Sequence, residues 1–130
     1  MNFPIIIDSG DENTAYGVIV PDLPGCFSAG DTLDEAIDNA KEAISLWLET
    51  ELDEGRNIPK ISSIETLQKE FHSANQFFAV VSVDLAKLSD KVKRVNITLP
   101  ARALRRLDLL SEQGGQTRSG YITNLIYAAN

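Results

Sequence analysis

Residues Arg94-Val95-Asn96-Ile97-Thr98-Leu99 alternate polar and apolar without a break, and Pro100 follows at once. Side chains on a strand alternate between its faces, so the pattern predicts a strand with a wet side and a buried side. Arg94, Asn96 and Thr98 fall on the first, and Val95, Ile97 and Leu99 on the second. Pro100 suits the first turn of a helix. Ala103, Leu104, Leu107 and Leu110 give that helix one apolar side, and Gly114-Gly115 ends it. Thr117 then caps a second helix with apolar positions at Tyr121, Ile122, Leu125, Ile126 and Ala129. One short strand and two short helices, in about 40 residues, cannot enclose a core of their own. The missing half has to come from elsewhere, and a second copy of the chain is the simplest source.

The net charge of −7 divides unevenly along the 130 residues. Through Asp90, five Lys/Arg stand against seventeen Asp/Glu, which leaves that part at −12. From Lys91 onward, seven Lys/Arg stand against Asp108 and Glu112, which leaves it at +5. A basic segment can neutralise phosphates and an acidic one repels them, so the two parts call for different partners. Cys26 is the only cysteine, which excludes an internal disulfide and fits a reducing cytosol. No secretory pattern and no apolar run of membrane-spanning length is present, so a soluble cytoplasmic protein with no membrane partner is expected.

The acidic part reads as a layer of strands and a helix. Phe3–Asp8 holds three consecutive isoleucines and is a buried strand, Tyr16–Val20 a second, and Cys26–Ala29 a short third. Pro21-Asp22-Leu23-Pro24-Gly25 breaks regular structure between the last two. Thr32 with Glu35 forms a capping box for an amphipathic helix over about 32–54, carried by Leu33, Ala36, Ile37, Ala40, Ile44, Trp47 and Leu48. Ser62 with Glu65 offers a weaker box for a short helix through about Phe71, and Phe77–Leu85 is a further strand. The order is β-β-β-α-(α)-β, an α+β pair of layers. Two domains are expected, over 1–88 and 92–130.

The basic segment, over about residues 92–129, resembles the ribbon-helix-helix family of DNA-binding proteins (β-α-α). The resemblance rests on the strand pattern, the Leu99-Pro100 start, the Gly114-Gly115 turn and the Thr117-Arg118-Ser119 opening. It implies a dimer whose paired strands enter the major groove of operator DNA. Arg94, Asn96 and Thr98 would read base edges, chemistry that suits guanine, adenine and either base respectively. Thr117 and Ser119 would present a helix start to phosphate, with Lys93 and Arg118 adding phosphate contacts. Val95, Ile97, Leu99, Leu104, Leu107 and Ile122 would form the dimer core. Arg102, Arg105 and Arg106 are assigned to solvent.

Tyr16 to Phe27, Gly30 to Ala36 and Asn39 to Ala43 are similar to the HicB antitoxin family, as is the passage from Phe78–Leu85 into Lys91–Pro100. That resemblance implies an N-terminal domain with a truncated ribonuclease H-like fold. It further implies a type II toxin–antitoxin pair, in which the domain binds a small basic HicA-type toxin that cleaves mRNA. An acidic surface would steer capture of such a partner. Asp22, Leu23, Pro24, Cys26 and Phe27 are the candidate contact loop, with a rigid turn between strands as the alternative role. No catalytic residue, cofactor or metal is expected, and the further pairing of dimers is left open.

Two other functions fit parts of the sequence. A nuclease would gather carboxylates around Mg²⁺, with Asp8 at the end of the first strand and Asp22 and Asp34 as weak partners. Cys26 and His72 each stand alone as nucleophile and base, and Trp47 reads as core. A stand-alone repressor whose N-terminal domain senses a small ligand is the other.

Overall fold

The computed structural model describes residues 1–71, 73–88 and 90–129, and the chain divides into two compact units, Met1–Val83 and Asp84–Asn130. His72 lies outside the described residues. In the first unit the run Phe3 to Ile7 has no polar side, so it suits only a strand covered on both faces. β1 (Asn2–Asp8) is that strand, and all five residues are buried. It lies between β2 (Tyr16–Ile19) and β4 (Gln76–Ser82), while β3 (Phe27–Gly30) completes an antiparallel four-stranded sheet outside β2. In register, Ile6 faces Ile19 and Phe78, and Ile7 faces Val18 and Phe77.

The Thr32 hydroxyl accepts from the Glu35 N–H at 3.1 Å and opens α1 (Leu33–Asp53), as the capping box predicts. Ala36, Ala40, Ile44 and Leu48 recur every fourth residue, are fully buried, and lay the helix across β3 and β2. Ile44 and Leu48 each contribute roughly 1.5–3 kcal/mol by that burial. The fit is close at Gly30, where any Cβ would run into the backbone of Ala36, so the strand can meet the helix start only through glycine.

Several boundaries differ from expectation for local reasons. Ser63, not Ser62, caps α2 (Ile64–Glu70), its hydroxyl accepting from the Thr66 N–H at 3.2 Å. Ser62 is drawn away because its N–H and hydroxyl donate to the Asp22 carboxylate at 2.9 and 2.6 Å, a charge-assisted pair. The strand expected over Phe77–Leu85 stops at Ser82. The Asp84 carboxylate accepts from the Ala86 N–H at 3.0 Å and winds Leu85–Lys87 into a 3-10 turn. Asn124 accepts from the same N–H at 3.1 Å and donates to Asp84 at 3.2 Å, so this turn goes with the second unit.

The second unit holds α3 (Ala101–Gln113), entered at Pro100, and α4 (Arg118–Ala128). Gly115, at φ 64°, makes the left-handed step that ends α3. The strand expected over Arg94–Leu99 is not formed: residues 90–100 adopt no regular element and are exposed. Alternation decides which side chains share a face, but a strand also needs a hydrogen-bonding neighbour, and one chain supplies none here.

Candidate functional site

The exposed arm carries its two kinds of side chain at very different cost. Arg94, Asn96 and Thr98 are polar and exposed, as is Lys93. Val95 and Ile97 are also exposed, at 79% and 66%, and Leu99 at 38%. Three adjacent apolar side chains in water are the kind of surface that marks an interface. They border a groove of about 950 Å³ whose other walls include Leu104 and Leu107 of α3 and Ile122 of α4. All six residues expected in a dimer core therefore line one groove, in which no apolar side chain of α3 or α4 is buried. Ile126, 65% exposed, lines the same groove. It was left out of the expected core, although its place one turn beyond Ile122 could have pointed to it.

The start of α4 is already partly engaged. The Thr117 hydroxyl accepts from the Gly120 N–H at 3.0 Å, so it caps the helix and has less to offer a phosphate. Arg118 donates Nη2 to Asp108 Oδ2 at 2.9 Å and Nε to Oδ1 at 2.5 Å, a two-pronged pair that joins α4 to α3. These bonds hold the Asp108 carboxyl below the usual carboxylate range and raise the Arg118 guanidinium. Lys93 and Ser119, both exposed, retain free side chains toward solvent. The ten-residue separation of Asp108 and Arg118 carries no helical periodicity across the Gly114-Gly115 turn, which is why the sequence did not reveal the pair.

In the first unit the loop from β2 to β3 folds on itself. The Leu23 N–H donates to Val20 O at 3.1 Å, and the Cys26 N–H to Leu23 O at 3.0 Å, with Gly25 at φ 80°. Leu23 and Cys26 are buried, and burial pushes the Cys26 thiol up, so these two side chains are not available to a partner. Asp22 is committed to Ser62. Pro24 and Phe27 remain outside, Phe27 at 65% exposure. Trp47 is half-buried, and its indole N–H donates to Pro24 O at 3.1 Å, so it anchors the loop from α1.

The carboxylates weighed for metal chemistry have structural partners or solvent. Asp8 accepts from the Gly10 N–H at 2.9 Å, and Asp34 sits exposed in the first turn of α1. Among the described residues no three His, Cys, Asp or Glu are grouped to hold a metal, and no helix is long and apolar enough to cross a membrane.

Comparison with known proteins extends over nearly the whole chain. Residues 3–126 match the family described as HicB-like antitoxin of bacterial toxin–antitoxin system. An uncharacterized protein of the rep-hol intergenic region of Haemophilus phage HP1 is 42% identical, over 96% of this chain and 94% of its own length. The crystal structure of the Burkholderia pseudomallei antitoxin HicB is similar with a TM-score of 0.84 at 36% identity, covering 98% of this chain and 97% of that one. A chain from a structure described as the HicA3 and HicB3 toxin–antitoxin complex is 28% identical with a TM-score of 0.50, covering 65% of this chain and 99% of that one. The chain belongs to the HicB-like antitoxins of bacterial toxin–antitoxin systems, a family of antitoxins and not of enzymes.

Proposed function

We propose that this antitoxin works through its two units separately. The first, a truncated ribonuclease H-like domain, neutralises a HicA-type ribonuclease toxin by direct binding. The second, a ribbon-helix-helix homodimer, binds operator DNA and represses the operon that encodes both proteins. The single observation that carries the DNA-binding half is the row of exposed Val95, Ile97 and Leu99 along the groove with Leu104, Leu107 and Ile122. A second arm pairing antiparallel with the first would bury that row and supply the missing ladder bonds. The same pairing leaves Arg94, Asn96 and Thr98 pointing outward, as donors and acceptors suited to base edges. Lys93, Ser119 and the segment's charge of +5 serve the phosphates, with Thr117 and Arg118 holding the helix start in place.

Toxin capture falls to the first unit. Exposed Pro24 and Phe27 on the β2–β3 loop are its proposed apolar contacts, held from beneath by Leu23, Cys26 and Trp47. Exposed Asp34, Glu35, Asp38 and Glu42 along α1 would steer a basic partner.

The division of labour is tested by Arg94→Ala. Removing a bidentate base contact should weaken operator binding by about 1–3 kcal/mol per half-site, measured by titration of labelled DNA at fixed salt. Neutralisation of the toxin in growing cells should be unchanged. Loss of neutralisation with folding and dimerisation intact would overturn the reading.

A further inference from the structure

The two edges of the sheet in the first unit are treated differently. Antiparallel neighbours alternate between pairs that exchange both backbone hydrogen bonds and pairs that exchange none. Met1 and Val83 exchange both, at 2.7 and 2.8 Å, and the Ser9 N–H donates to Asn75 O at 3.0 Å. The phase is thereby set: Phe77, Ala79 and Val81 bond inward to β1, and Phe78, Val80 and Ser82 turn their N–H and C=O groups outward. Among the described residues none of these outward groups has a hydrogen-bond partner. At the other edge, the Val20 N–H donates to Cys26 O, so Phe27 and Ala29 of β3 point outward. There the Asn39 amide of α1 donates to Ala29 O at 2.8 Å and covers the carbonyl.

Open edges are normally blunted by lysine, proline, a bulge or an inward charge. β4 has none of these: Gln-Phe-Phe-Ala-Val-Val-Ser is uncharged in a chain of net charge −7, and its pairing with β1 is continuous from Gln76 to Ser82. Phe77 and Val80 are 39% and 50% exposed along it. The strand also complements itself. Set antiparallel to a second copy about a two-fold axis at Ala79, it places Phe78 opposite Val80 on one face and Phe77 opposite Val81 on the other. Both are aromatic against β-branched pairs, a favourable cross-strand combination. The same setting brings the outward groups of Phe78 onto those of Val80, so the hydrogen-bond phase is correct. Ala79 meets its own copy at the close, non-bonded position, where a small side chain fits.

We infer that β4 is a second self-association surface, on which another copy of this chain pairs edge to edge to join two sheets into one. It is the only long uncharged edge in a unit that otherwise repels its like. The interface is independent of the arm of the second unit, and with a dimer formed there it would link dimers into a larger assembly.

The test uses the full chain with the arm disabled by Ile97→Asp, so that only the sheet edge remains to associate. Sedimentation should then show a concentration-dependent dimer. Adding Val80→Pro deletes an outward N–H without touching the bonds to β1, a substitution an edge strand tolerates. It should raise the dissociation constant at least about tenfold, and Val80→Lys should do the same. Independently, Ala79→Cys should give a disulfide-linked dimer under mild oxidation, since the closely spaced pair suits a disulfide. Phe77→Cys should not, because its partner is Val81. A monomer before Val80→Pro is added, or equal cross-linking at both cysteines, overturns the inference. So does a Val80→Pro chain that keeps its mass but binds toxin more weakly, which would make β4 a toxin-docking edge.

Discussion

The two units of this antitoxin are built from similar amounts of amphipathic helix per residue, yet they stand in opposite relations to water. In Met1–Val83 every strand and helix contributes to an enclosed core that includes Phe3, Ile5, Ile7, Leu23, Ile44 and Leu48. From Asp84 onward only Leu85 and Ser111 are buried among the described residues, and Ser111 spends its hydroxyl on the carbonyls of Leu107 and Asp108. The first unit has completed its hydrophobic burial within one chain. The second has its apolar rows in place, on the arm and on α3 and α4, without a covering surface. A unit of the first kind can hold a partner-binding loop rigid. One of the second kind is an interface by construction, and its structure is inseparable from its concentration.

Charging the groove should break the contrast most severely. Ile97→Asp puts a carboxylate where a second arm would have to bury it, a cost of several kcal/mol. It should abolish arm-mediated association and operator binding together, while thermal melting followed by Trp47, the one tryptophan and a first-unit residue, stays in place. A Trp47 melt that fell with Ile97→Asp would show that the units are not independent.

The converse change acts inside the enclosed core. Leu48→Ala leaves a cavity beneath α1 and should lower the stability of the first unit by about 2–5 kcal/mol, read by urea unfolding through Trp47. Operator affinity under native conditions should change little. A loss below about 1 kcal/mol would mean that this core is far less closely packed than its burial indicates.

Acid should sharpen the comparison with the smallest effect. Each unit carries one arginine clamp, Glu51 with Arg56 in the first and Asp108 with Arg118 in the second. Both carboxyls are held below their ordinary range, by hydrogen bonds from the arginine before all else. A depressed carboxyl contributes its stability above the unfolded value and loses it as pH falls through the folded one. Both clamps therefore persist at neutral pH and fail only under acid. With no core behind it, the second unit should respond first, so far-UV helix signal should fall at higher pH than the Trp47 fluorescence change. Coincident transitions would contradict this.

Much of the fold could be read along the chain because its causes are local. Thr32 and Glu35 announced α1, Ala36 to Leu48 marked its buried side, and Phe3–Ile7 could hardly be anything but a central strand. What escaped detection joins distant residues. Asp22 takes Ser62 from its expected capping role across forty positions, and Asp108 takes Arg118 from a free phosphate contact. Leu23 and Cys26 looked like loop residues with the rest of Pro21–Phe27, and only the turn that folds the loop inward buries them.

The alternation from Arg94 to Leu99, by itself, determined which side chains of the arm belong together and that a lone copy leaves an apolar row uncovered. Side-chain direction along a backbone is a matter of period, and period is written in the residue order. Only the tertiary structure decided that this row lies along the same groove as Leu104, Leu107 and Ile122, and that the arm is no strand without a neighbour. It alone set the hydrogen-bond phase that leaves one edge of β4 open. A strand's partners, unlike its faces, are chosen by what the rest of the chain brings beside it.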